Sequence, residues 1–116
     1  MITEINSTDV SENFRRLVII GRLDIAGNDA IALKFAAFAV SNGKRVLVDL
    51  TAVSFLASIG IRSIVTNAKA LQARGGKMVL FVGDNMAVVN TLKTTGIDLL
   101  IPMFADETEA TSDAIA

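Results

Sequence analysis

The sequence has no cysteine, histidine, tryptophan or tyrosine, and only one proline. The lack of cysteine rules out disulfides and thiolate nucleophiles. The lack of histidine removes the commonest general base and, with the missing thiols, the usual zinc ligands. Catalysis would have to rest on carboxylates, lysines or a hydroxyl, and these form no cluster around a recognisable motif. A small nucleotide hydrolase is therefore the least supported reading, and neither a cofactor nor a metal is expected. Missing cysteine also fits a reducing compartment. The aromatic residues are six phenylalanines, set in apolar runs, which leaves little to stack bases. The formal net charge of −1 gives no general attraction to nucleic acid or anionic lipid. The runs FAAFAV and IRSIVTNA are too short and interrupted for the roughly 18 residues of a membrane span. The segment MITEINSTDVSEN is polar and acidic where a signal peptide is basic and then apolar, so a cytoplasmic protein is expected.

What remains is a chain of 116 residues, 52% of them hydrophobic and 20% charged. One domain over residues 1–116 is expected, and a chain of this length buries roughly two thirds of the surface its unfolded form exposes. Ile2–Asn6 and Phe14–Ile20 read as neighbouring antiparallel strands joined by the polar STDVSEN. GRLDIAG breaks that pattern. The alanine-rich stretch from about Asn28 to Ser41 begins with capping-type residues and stops at Asn42-Gly43, which predicts a helix; its apolar character predicts that much of it is buried. Arg45–Leu50 is a continuous hydrophobic run, the pattern of a central strand covered on both faces. After a turn near Ser54, Ile61, Ile64, Val65, Ala68 and Leu71 recur at helical spacing as far as Gly75-Gly76, with Arg62, Thr66 and Lys69 opposite. Lys77–Gly83 reads as a buried strand and Asn85–Thr95 as a helix ended by Gly96. A short strand near Leu100–Met103 and a helix-capable tail from Ala105 to about Ala110 or beyond follow. The order predicts an α/β fold with a mixed, mostly parallel sheet of about five strands and about four helices.

Ser58 stands where the strand gives way to the amphipathic helix, beside the unpaired N–H groups of a first helical turn. One reading makes it an N-cap, worth about 1 kcal/mol. No capping box supports that reading, because Ile61 occupies the position three residues later. The other reading makes its hydroxyl a phosphoryl acceptor. A phosphoserine adds roughly −1.5 to −2 charges at a helix end that tolerates anions, and would repel an apolar or acidic surface docked over it.

IIGRLDIAG, VLVDLTAVSFLASIGI and TGIDLLIPMFADETEA, in this order and spacing, resemble the successive signatures of the STAS domain, specifically of bacterial anti-sigma-factor antagonists. The resemblance runs from about Ile5 to Ala110. It implies a STAS-like fold and a non-enzymatic regulator. Such a regulator binds a serine-kinase anti-sigma factor while Ser58 is unmodified, is released once Ser58 is phosphorylated, and is reset by a cognate phosphatase. It also implies that Asp24, in GRLD, lies near Ser58 and shares the partner surface. On that surface Ala57, Ile59, Gly60 and Arg62 complete the expected site, with Gly60 allowing close approach at the first helical turn. The chain departs from the family at Ala57 and Ile59, where an acid and a Ser or Thr are usual. These departures leave room for a second reading, a STAS-like subunit of a lipid-transport ATPase assembly that needs no phosphorylation. A monomer or weak dimer is expected.

Other residues have simpler readings. Asp49 ends a buried run, as the phosphorylated aspartate of a receiver domain does, but the paired acids and the lysine of a receiver are missing; it reads as a turn-forming or capping acid. Gly83-Asp84-Asn85 lacks the glycine spacing and lysine of a P-loop and reads as a helix cap, with Met86, Val89 and Leu92 as core. Phe35 and Phe38 should pack inward. Arg62 and Lys69 form a solvated face that would also suit an acidic partner.

Overall fold

The computed structural model describes residues 2–40 and 44–116. Five strands, β1 (Glu4–Ser11), β2 (Phe14–Leu23), β3 (Arg45–Leu56), β4 (Lys77–Phe81) and β5 (Met103–Phe104), form one sheet in the order β1-β2-β3-β4-β5. β1 pairs antiparallel with β2, and the other three pairings are parallel. The helices are α1 (Ile25–Val40), α2 (Ser58–Ala73), α3 (Met86–Thr94) and α4 (Glu107–Ile115).

β3 lies at the centre of the sheet, and every residue from Val46 to Leu50 is buried, as a two-sided hydrophobic run requires. On one face α1, α2 and α3 bring Ile31, Phe35, Ile64, Leu71, Val88 and Leu92 against Leu17, Ile19, Val48 and Leu80. On the other, α4 lays Ala110 and Ala114 over Phe14, Leu47 and Val79. In such a layered fold the helix that follows a parallel strand begins at that strand's carboxyl end, so α1 and α2 start at one end of the sheet, close to the ends of β2 and β3.

Several expectations are corrected. Most of STDVSEN is strand, closed by a turn at Glu12-Asn13, because main-chain pairing with β2 holds β1 extended where side-chain patterning gives no signal. β3 runs through Ser54 to Leu56, with two register shifts against β2, so the turn expected near Ser54 does not exist. α1 starts at Ile25: the Asp24 carboxylate accepts from the Gly27 N–H at 2.8 Å and the Asp24 carbonyl from the Asn28 N–H at 2.8 Å, which makes Asp24 and not Asn28 the cap. The expected stop at Ser41 and Asn42-Gly43 lies outside the described residues. Phe35 is buried and Phe38 packs against the core, but Ile25 and Leu33 are 72% and 89% exposed, so α1 turns an apolar face outward. Val89 and Leu92 are core, whereas Met86 is exposed. The last strand is only Met103–Phe104, after a 3₁₀ turn at Ile97–Leu99; the terminal helix, Glu107–Ile115, runs beyond Ala110 as the tail allowed.

Asp49 is neither turn nor cap. It sits within β3 with its side chain 9% exposed and meets the Arg16 guanidinium at 2.6 Å. Its other oxygen accepts from the Thr51 N–H and hydroxyl, so its negative charge is fully engaged. Arg16 also pairs with Glu107, which ties the sheet to the first turn of α4.

Candidate functional site at the start of α2

The site is assembled where β2 and β3 end. Parallel pairing sets Arg22 beside Phe55 and Leu23 beside Leu56, and the Ala57 N–H donates to the Leu23 carbonyl at 3.0 Å. Asp24 and Ser58 each follow directly on that pair, so the proximity expected of them is built by the backbone. Ala57 is the residue at the N-cap of α2, and no side chain caps the helix. Ser58 is the first helical residue, exposed, and its hydroxyl has no hydrogen-bond partner among the described residues. The capping reading of Ser58 therefore fails on geometry: a cap oxygen belongs one position earlier, where this chain carries a methyl group.

Asp24 holds two bonds at once. The Gly27 N–H and then the Arg22 Nε–H, at 3.1 Å, favour its ionised form and hold its carboxyl below the ordinary value of 3.8. Arg22 in turn lies with its guanidinium 4.5 Å from the centre of the Phe55 ring. A cation, an anion and a half-exposed aromatic ring are thus fixed as one group at the ends of β2 and β3, the end of the sheet from which α2 starts. Sequence reasoning missed Arg22 and Phe55. The available signal was the pairing of two strand ends, which becomes readable only once β3 is known to extend to Leu56.

The remaining expected residues divide by depth. Arg62 is exposed on α2, one turn after Ser58, and shares its face. Ile59 is half-buried, as is Ala57. Gly60 is buried: a Cβ there would stand 2.8 Å from Leu23 Cβ and 2.9 Å from Leu56 Cδ1. The absence of a side chain at this position lets α2 sit directly on the ends of β2 and β3. Behind the surface, the Ser63 hydroxyl donates to Asn28 Oδ1 at 2.6 Å and joins α2 to α1. Asn85 Nδ2 donates to the Leu50 and Val53 carbonyls at 3.0 and 2.7 Å, satisfying groups of β3 beyond the end of β4.

The family model of the STAS domain matches residues 7–110. The chain belongs to the STAS domain family. A comparison with curated protein sequences finds no match. Among solved structures, this STAS domain is similar to an anti-sigma factor antagonist from Mycobacterium paratuberculosis, at a TM-score of 0.82 and 19% identity, covering 97% of this chain and 96% of that one. It is similar to an anti-sigma-factor antagonist STAS domain protein from Planctomyces limnophilus at 0.78 and 25%, covering 98% and 99%. It also resembles the Bacillus cell fate determinant SpoIIAA in its phosphorylated form, at 0.67 and 17%, covering 95% and 98%. The SpoIIAA-like α/β architecture with a five-stranded mixed sheet and four helices matches the expected fold class. No helix among the described residues is long and apolar enough to cross a membrane.

Proposed function

We propose that this STAS domain is a cytoplasmic anti-sigma-factor antagonist, a non-catalytic regulator working as one domain over residues 1–116. With Ser58 unmodified it docks on a serine-kinase anti-sigma factor. Phosphorylation of Ser58 by that kinase releases it, and a cognate phosphatase restores binding. Ala57, Ile59, Gly60 and Arg62 contribute the helix side of the docking surface, and Asp24 the loop side.

The observation that carries this reading is the exposed, unbonded hydroxyl at the first position of α2, beside an aspartate already committed to two donors. An exposed hydroxyl is open to a kinase, and the uncapped helix start tolerates the charge that a phosphoryl group adds, so modification leaves the fold intact. The effect on docking is opposite. The dianion arrives next to Asp24, and a partner covering both groups would have to desolvate two adjacent anions. The matching antagonists from Mycobacterium and Planctomyces, and the phosphorylated form of the Bacillus protein, support the same reading.

The test is to incubate the purified chain with the serine kinase encoded beside it and ATP, and to map the product by mass spectrometry. One phosphoryl group on the peptide carrying Ser58, absent from Ser58→Ala, is expected. In calorimetry against the same kinase, Ser58→Ala should bind as the unmodified chain does, and Ser58→Asp should bind at least about tenfold more weakly. Unmodified Ser58 after full incubation, with equal affinities of the two variants, would favour the phosphorylation-independent transport subunit.

A further inference from the structure

The outward face of α1 has no role in the docking surface just described, yet it is one of the most apolar exposures on the molecule. Ala26, Ala30, Leu33 and Ala37 follow one another at spacings of four, three and four, all exposed, with Leu33 at 89%. This is the alternation of a helix-pairing seam. The residues flanking the seam are charged and of opposite sign. Asp29 lies on one side and Lys34, five positions later, on the other. Both are exposed, and neither forms an ion pair among the described residues.

The sign and the spacing together select an occupant. When two copies of a helix pair in parallel, the residue flanking the seam on one copy faces the residue five positions later on the other. Asp29 of each copy would then face Lys34 of its partner, so the contact is made twice around the twofold axis. In an antiparallel pair the same flank faces itself, and Asp29 and Lys34 fall on opposite sides of the seam. Leu33 supplies the one large apolar group, and the three alanines let the helices approach closely.

We propose that α1 is the contact through which two copies of this chain associate, with their α1 helices parallel. Because α1 and α2 both start at the carboxyl ends of the sheet strands, a parallel pair presents both Ser58 surfaces at the same end of the dimer. A two-headed partner would be engaged bivalently, with higher avidity than a single site gives. The inference is independent of the phosphorylation of Ser58. The seam is short, and an interface this small associates weakly, which gives a concentration-dependent equilibrium rather than a permanent dimer.

The test is sedimentation equilibrium of the full chain between about 10 μM and about 1 mM, the range in which small interfaces dissociate. A reversible monomer–dimer equilibrium is expected, with Leu33→Asp raising the dissociation constant by about tenfold or more. Asp29→Lys and Lys34→Asp should each weaken association, and the double variant Asp29→Lys/Lys34→Asp should return it to within a few-fold of the wild type. All three substitutions fall on exposed positions, and circular dichroism checks that each variant is folded. A chain that stays monomeric at the highest concentration, a dimer indifferent to Leu33→Asp, or a double variant as weak as the singles would each overturn the parallel α1 contact.

Discussion

Gly27 and Gly60 set how closely the two helices approach the strand ends, and the margin is smaller than a methyl group. A Cβ at Gly27 would lie 1.8 Å from the Arg22 carbonyl oxygen, which belongs to the backbone and cannot turn aside. At Gly60 the clashes are with Leu23 and Leu56 side chains, at 2.8 and 2.9 Å. Overpacking of the second kind costs about 1–3 kcal/mol, so Gly60→Ala should lower the unfolding free energy by that amount, read as a lower urea midpoint at unchanged m, and Gly27→Ala should lower it further. Asp24 adds a dependence on pH. The fold depresses its carboxyl, so the ionised form is stabilising above the ordinary 3.8, and that contribution is lost as the pH falls through the lower folded value. Asp9, held chiefly by its hydrogen bond to Arg15, behaves in the same way. Stability followed by urea denaturation should therefore fall as the pH drops through this region, with a shallower fall in Asp24→Asn, since an amide oxygen still caps α1 without titrating.

The helices differ in how they begin. Asp24 caps α1, and Asp106 caps α4 through a 3.1 Å bond from the Glu109 N–H, but α2 begins at Ala57 with no side-chain acceptor. α3 also starts without a side-chain cap, its Asn85 donating to β3 carbonyls instead, but at α2 the residue in the cap position, Ala57, carries no polar side chain at all. Replacing Ala57 with Asp should stabilise the chain by about 0.5–2 kcal/mol, read as a rise in thermal midpoint. It also places an acid beside Ser58, where STAS antagonists usually have one. An unchanged midpoint would mean that another group already satisfies those N–H donors. The elements legible in the sequence were those whose side chains carry a period: the two-sided run in β3, and the Ile61 to Leu71 spacing of α2. Boundaries set by the backbone were not legible. β3 continues beyond Leu50 through exposed Thr51, Ala52, Ser54 and Phe55 because it still pairs with β2, and no hydrophobic pattern records that pairing.

Across the whole molecule the α/β order, the mixed sheet and the position of Ser58 at a strand-to-helix junction were all readable. The outward apolar face of α1 was not, because alanine and leucine suit a buried and a solvated helix face alike, and only the tertiary placement separates the two. The Arg22, Asp24 and Phe55 group escaped for a related reason, since its members belong to two strands joined only by register. What unites these features is one end of the sheet, where β2, β3, α1 and α2 bring together a cation, a helix-capping acid, an aromatic ring and a hydroxyl with no partner among the described residues. The account stands on the charge state of that hydroxyl controlling a docking surface. The most direct measurement is the calorimetric affinity of the partner kinase for the chain phosphorylated at Ser58, set against the same chain after phosphatase treatment. The account predicts tight binding only after the phosphoryl group is removed; equal affinity of the two forms would contradict it.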